Sequence, residues 1–290
     1  MLQEVLAVSV SSTHPPLSRR GRPACAMTVA IGVLIITTAM AQPELPAHWF
    51  QQRGPAADGE AISFCVDPRD PGHIVDADIA EAIASALLVN VRLHVVTSST
   101  VVDDFEDLYI ELVEHCAVYL GFKLFADTYP GWLTITRPFY ESRFVVLAAD
   151  PSWSTLADIP LDVPIGVVQG TMGDIRFLRS NNDLPADQRR RRVPLGRPNL
   201  AFDALMDGRV GALVVWEPWW WWLQFERPEL AELHVVSAPH VSEPAIGVGG
   251  VLLADRTFVR SAVDEALAAI DDDVQRILED RAYPGVVHGR

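Results

Sequence analysis

Short strands alternating with amphipathic helices, in two successive sets, predict an α/β protein of two lobes. Three observations carry this expectation. The chain has 290 residues, 49% of them hydrophobic and 21% charged, which is enough apolar material for two cores and excludes a disordered or collagen-like chain. Apolar runs of strand length are followed by segments whose apolar residues recur at helical spacing. That pattern stops and restarts around Asp150-Pro151. No short fixed-period repeat is visible, so a solenoid is not expected.

In the first set, Ile62 to Val66 reads as a buried strand that ends at the turn-forming run Asp67-Pro68-Arg69-Asp70-Pro71-Gly72. A helix should follow, capped by Asp76, with Ile79, Ala80, Ile83, Ala84, Leu87 and Leu88 on one face. Val91 to Val96 is the next strand, and Phe105 to His115 a helix with Leu108, Leu112 and Val113 on one side. Ala117 to Phe122 is a strand leading to Lys123, followed by short strands at Leu133 to Thr136 and Phe144 to Ala148. The second set has a strand at Ile165 to Val168, a tight loop Gly170-Thr171-Met172-Gly173, and a helix from Asp174. Asn199 to Met206 is helical, Gly211 to Trp216 a buried strand and Leu233 to Val236 another. Ile246 to Ala254 is extended again, and helices are expected at Thr257 to Ile270 and Val274 to Arg281.

The N-terminus has the form of an export signal. Arg19, Arg20 and Arg22 precede an uncharged apolar run from Ala24 to Met40, and Ala39-Met40-Ala41 has the small-x-small form of a cleavage site. The run is short for a membrane span. Residues 1–41 are therefore expected to be a signal peptide and 42–60 a leader, with the mature protein periplasmic. The 38 acidic against 23 basic side chains give a formal charge of -15, which argues against nucleic acid and anionic membrane surfaces as partners.

Among the basic residues only Lys123 is a lysine, at the end of a central strand. Glu217-Pro218 directly follows the strand Gly211 to Trp216, so the Glu217 carboxylate should stand at the strand mouth. The loop at Thr171 opens a helix whose free N–H groups could receive an anion, although Asp174 in the first turn would oppose it. Trp219 to Trp222 circle one helical turn and cannot all face one side. One of them, Trp219 beside Glu217, could form an aromatic wall suited to an organic cation, while most should pack in the second core. No His-x-x-x-His, His–Cys metal spacing or Gly-x-Ser-x-Gly occurs, so no metal, cofactor or hydrolase machinery is expected.

Several fragments, taken in order, resemble the bacterial extracellular solute-binding proteins of family 3, the amino-acid type that serves ABC transporters. Asp76-Ala77-Asp78-Ile79-Ala80-Glu81-Ala82-Ile83 resembles that family's acidic helix opening. Cys116-Ala117-Val118-Tyr119-Leu120-Gly121 resembles its central strand, and Thr136-Arg137-Pro138-Phe139-Tyr140 its Ser/Thr-x-Pro-Tyr-Tyr signature. Val168-Gln169-Gly170-Thr171 and Gly208-Arg209-Val210-Gly211-Ala212 resemble two second-lobe segments. The resemblance runs from Ile62 to Pro284 and implies a two-lobed periplasmic-binding-protein fold. Lobe one would comprise residues 61–148 and 246–290, lobe two would be inserted as 149–245, and two crossing segments would form a hinge.

The resemblance also implies a monomer that closes on a small-molecule ligand and presents it to a membrane permease, without catalysis. It places Asp67, Lys123, Arg137, Tyr140, Thr171, Glu217 and Trp219 at the ligand. Glu217 stands where the family has an aspartate that pairs with a ligand amino group, whereas Tyr129 falls where it has an arginine that clamps a carboxylate. Two other functions fit the same fold: an accessory component of a quinoprotein alcohol or methanol dehydrogenase, and a periplasmic enzyme similar to cyclohexadienyl dehydratase. On this architecture Cys65 lies near the exit of one strand and Cys116 before the start of its neighbour. An exported chain with two remaining cysteines favours a bridge, but several residues of strand separation exceed disulfide reach. The geometry outweighs the count, so free thiols are expected.

Overall fold

The computed structural model describes residues 60–97, 105–125 and 129–287. The expected signal peptide and residues 42–59 of the leader lie outside them. Among the described residues no helix is long and apolar enough to cross a membrane.

The chain opens with strand β1 (Ala61–Val66), helix α1 (His73–Ala86), strand β2 (Asn90–Val95), helix α2 (Phe105–Glu114) and strand β3 (Val118–Lys123). β1 is buried along its whole length, with parallel partners β2 and β3 on its two sides. Alternation then divides its side chains between two layers. Ile62, Phe64 and Val66 meet Ile79, Ala80 and Ile83 of α1, while Cys65 meets Leu108 and Leu112 of α2. Strands β4 (Leu133–Ile135) and β5 (Tyr140–Ser142) complete this sheet through a late strand described below.

The chain then changes sheets. Strand β6 (Phe144–Ala148) pairs over all five residues with β9 (Ala212–Trp216), antiparallel, in a second sheet. The first lobe therefore ends at Ser142 rather than at Ala148. A fully apolar five-residue run says that a strand is buried but not which sheet buries it, and β9 offers an equally apolar partner. The second sheet also holds β7 (Ile165–Val168), β8 (Arg192–Leu195) and β10 (His234–Val236), in the order β10-β6-β9-β7-β8. Strand β8 begins at Arg192, the last residue of the basic run Arg189 to Arg192. Helices α3 (Met172–Asn182), α4 (Pro198–Met206), α5 (Glu217–Leu223) and α6 (Pro239–Ser242) complete this lobe.

The return crossing occupies residues 243–245, and strand β11 (Ile246–Leu253) re-enters the first sheet antiparallel to β3, β4 and β5. Helices α7 (Thr257–Ala269) and α8 (Asp271–Asp280) pack back on the first lobe, with Val263, Leu267, Val274 and Leu278 in the core that includes α1.

Two local expectations change. Helix α1 starts at His73, three residues earlier than Asp76, because Asp70 organises the turn: its side chain accepts from the Gly72 N–H at 2.8 Å and its carbonyl from the His73 N–H at 3.2 Å. Asp76 is thereby carried into the helix and buried. Cys65 and Cys116 form a disulfide, with Cα atoms 5.5 Å apart. Their parallel register, Cys65 opposite Tyr119, would separate them by three residues, or about 10 Å in an extended strand. Cys116, however, precedes β3. Its N–H and that of His115 both return to the Glu111 carbonyl, at 3.0 and 2.9 Å, and this turn sets Cys116 above the sheet, over Cys65.

The bridge closes a sequence separation of 51 residues. Cys65→Ser with Cys116→Ser should lower unfolding stability by about 2–4 kcal/mol through the freed unfolded chain, measured as the urea midpoint against the untreated protein. An unchanged midpoint would mean that core packing alone holds α2 on the sheet.

Candidate functional site

The carboxyl ends of β1, β3, β7 and β9 carry most of the polar groups predicted to act, and the structure brings only some of them together. Lys123, the last residue of β3, projects its ammonium to 3.4 Å from Asp70 Oδ2 in the first lobe and 5.2 Å from the centre of the Trp216 ring in the second. A cation held between a carboxylate and an indole face is a favourable arrangement. Its backbone is held too, because the Tyr129 hydroxyl donates to the Lys123 carbonyl. Tyr129 thus orients the lysine rather than facing a ligand.

Beneath the ammonium lies Asp76, 2% exposed. Gly121, at φ +80°, makes room for it: a Cβ there would come within 2.7 Å of Asp76 Oδ2. Among the described residues Asp76 Oδ1 has no hydrogen-bond partner, although it is buried. Burial first, and then the charge of Asp70, push this carboxyl well above its ordinary value of 3.8, against the opposing pull of Lys123. Burial thus favours its protonated form. Tyr140 and Tyr283 share a hydroxyl contact of 3.0 Å nearby, and burial raises both phenols.

Glu217 heads α5. Its carboxylate is 3.0 Å from the Arg143 Nε, and its N–H donates to the Arg143 carbonyl. The next turn carries the tryptophans. Trp219 packs between the two core clusters and Trp220 donates to the Leu230 carbonyl at 2.8 Å within the second lobe. The two that reach the first lobe are Trp221, whose indole N–H lies 3.2 Å from the Arg281 carbonyl and whose ring meets Tyr283 at 4.9 Å, and Trp222, edge-on to His73 at 5.1 Å. Trp219, beside Glu217, is partly buried against both cores, and Trp221 and Trp222 bridge the lobes.

Other predicted residues have different duties. Tyr140 is 1% exposed inside the first lobe and cannot reach a ligand in this conformation. Asp67 forms an ion pair with Arg69 at 2.7 Å and accepts from Tyr119 at 3.2 Å. Arg137 is anchored through its backbone N–H to Asp264 Oδ1 at 2.6 Å. Thr171 caps α3, accepting from the Asp174 N–H at 3.3 Å. The anion place at that helix start is taken by Asp174 itself, which accepts from the Gly170 N–H at 3.0 Å and from both arms of Arg192 at 2.6 Å. Burial would raise the Asp174 carboxyl, but the Arg192 and Gly170 bonds outweigh it and hold it below its ordinary value. Asp70, Asp76, Arg143, Trp216, Trp221 and Trp222 join Lys123 and Glu217 here without a role at the site assigned to them individually from sequence. The usable signal was position: Asp70 sits just past β1, and Trp216 and Arg143 just beside the chain's change of sheet.

Two sheets joined by two crossings, with charged groups at the facing strand ends, define a hinged pair of lobes. The chain has the two-lobed periplasmic-binding-protein fold. The VFT2 domain of Bordetella pertussis BvgS, as a double mutant, superposes with a TM-score of 0.59 at 14% identity, covering 82% of this chain and 99% of that one. The GluR0 ligand-binding core in complex with L-glutamate gives 0.54 at 14% identity over 77% and 96%. The substrate-binding protein of an amino-acid ABC transporter gives 0.52 at 19% identity over 76% and 98%. The sequence itself matches no family model and no curated protein.

The state of Asp76 has a measurable sign. Its folded value is raised above the ordinary 3.8, so the stability it contributes is fully present below that value and is lost as pH rises toward and through the raised one. Asp76→Asn, which mimics the neutral acid, should flatten the fall in stability as pH rises above the ordinary carboxylate value and raise the urea midpoint at neutral pH. An identical pH slope in the variant would show that Asp76 is ionised in the folded protein.

Proposed function

We propose that the chain is a periplasmic solute-binding protein whose lobes close on a small polar molecule bearing an organic cation, and that the closed form delivers it to a membrane permease. The observation that carries this reading is the Lys123 ammonium seated between Asp70 and the Trp216 face. Asp70 and the Trp216 face together hold a positive charge, and the lysine supplies it with modest strength because the ion pair is only half-buried. A ligand ammonium with its own apolar contacts can take the same place. Glu217, one residue beyond Trp216, adds a carboxylate that its salt bridge with the half-exposed Arg143 leaves open to exchange. The amino-acid binders among the structural neighbours support the same class of ligand. The protein acts in this role as a monomer and catalyses nothing.

A second reading has one observation in its favour. Trp221 and Trp222 join the lobes through the protein's own groups, as expected where the fold serves assembly, for example as an accessory component of a quinoprotein dehydrogenase. The dehydratase reading gains nothing comparable, because Lys123 and Glu217 each already have an ionic partner.

A thermal-shift screen over amino acids, polyamines, quaternary amines and small acids separates these readings, since a ligand at one hundred times its Kd stabilises the folded state by about 2.7 kcal/mol. Glu217→Gln should weaken a ligand found this way by about one to two decades, and Trp216→Ala by about one decade. Arg137→Gln should change little. A silent Glu217→Gln beside a crippled Arg137→Gln would make the ligand an anion, and a screen without any stabilising compound would favour the accessory role.

A further inference from the structure

We propose that Cys65, His94, Glu111 and Cys116 form a zinc-class metal site when the Cys65–Cys116 bridge is reduced. The four residues lie on the α2 side of the first sheet and include none of the residues at the lobe interface, so the inference stands apart from solute binding. Cys65 and His94 are register partners on adjacent parallel strands, and therefore project from the same face. Glu111 descends onto that face from α2, 7% exposed, with its carboxylate 3.1 Å from His94 Nε2. The donor atoms of Cys65, His94 and Glu111 all lie within 4.8 Å of one another. Cys116 contributes the fourth, bonded to the Cys65 sulfur in the oxidised protein.

Two sulfurs, an imidazole and a carboxylate form the donor set of a tetrahedral zinc site. Metal–donor lengths of about 2.0–2.3 Å place such donors about 3.3–3.8 Å apart. Three of the four atoms need to close by about an ångström at most, and the two sulfurs to separate by side-chain rotation. The His115 ring stacks on His94 at 4.3 Å with planes 8° apart, which fixes the imidazole plane as an outer-shell partner does. His94 is partly exposed and gives the ion a way in, whereas both cysteines are fully buried.

The chemistry balances in two steps. A dithiol transfers two electrons and two protons to the bridge, giving Cys65 and Cys116 thiols and its own disulfide; a water-soluble phosphine does the same with water, leaving as phosphine oxide. The divalent ion then displaces the two thiol protons to solvent and binds the thiolates, neutral His94 and the Glu111 carboxylate. With the bridge closed the sulfurs are not thiolates, so metal binding and oxidation exclude each other.

The test uses the full chain, phosphine-reduced, titrated with cobalt(II) as the probe and then with zinc. The reduced protein should bind one equivalent of cobalt with a thiolate-to-metal charge-transfer band that zinc abolishes, and the oxidised protein should show no band. In the reduced protein His94→Ala and Glu111→Gln should each weaken cobalt binding at least about tenfold, with folding followed by tryptophan fluorescence. A band of equal strength in both variants would reduce the site to a bare thiol pair and overturn the proposal. It is equally overturned if cobalt binds the oxidised chain as well, or if the reduced chain unfolds without capturing metal.

Discussion

The placement of one ammonium group organises the face between the lobes. Lys123 sits where two carboxyls, Asp70 and Asp76, and one indole, Trp216, converge. Two adjacent carboxylates sharing one ammonium would repel, and burial of Asp76 eases this by favouring its protonated form. Burial in turn needs the missing side chain at Gly121, and the positive φ there suits glycine. The turn at Asp70, the start of α1, the glycine in β3 and the lysine at its end are thus linked parts of a single charge arrangement.

Magnitudes decide what this arrangement can do. A half-buried lysine against a carboxylate contributes on the order of 1 kcal/mol or less, and its contact with an indole about 0.5–2. The Trp221 and Trp222 contacts add a hydrogen bond and two edge-on ring pairs, each on the order of 1 kcal/mol. Micromolar binding of a solute corresponds to about 8 kcal/mol. The internal contacts are strong enough to bias the lobes toward each other and weak enough for a ligand to replace them.

The strands and most helices were legible because burial writes itself into sequence as apolar runs and helical spacing: Ile62 to Val66, Gly211 to Trp216 and the helix carrying Ile79 and Ile83 were readable in this way. Partnership was not. Phe144 to Ala148 reads the same in either sheet, and only β9 decides. Asp76 reads as a helix cap because capping is the usual reason for an aspartate before an apolar stripe, yet Asp70 had already satisfied the turn. The loop at Thr171 reads as an anion site until Arg192, eighteen residues on, brings its guanidinium to Asp174. Tyr140 closes the Thr136 to Tyr140 signature but is sealed by Tyr283 from the far end of the chain. Cys65, His94, Glu111 and Cys116 have no motif spacing, because they converge from two strands, a helix and a turn. In each case the deciding group is distant in sequence and close in space.

The change of sheets after β5 occupies very little chain. Ser142 is fixed to the first lobe by its pairing with Ile246 and by its hydroxyl on the Pro284 carbonyl at 2.7 Å. Arg143, the next residue, is already tied to the second lobe through Glu217. Any rotation of one lobe against the other would have to pass through this one peptide link and the three-residue return crossing, as about a pin. Glu217 sits almost on that axle, where a given angle displaces it least, while the outer rims, far from the pivot, sweep the longest arc.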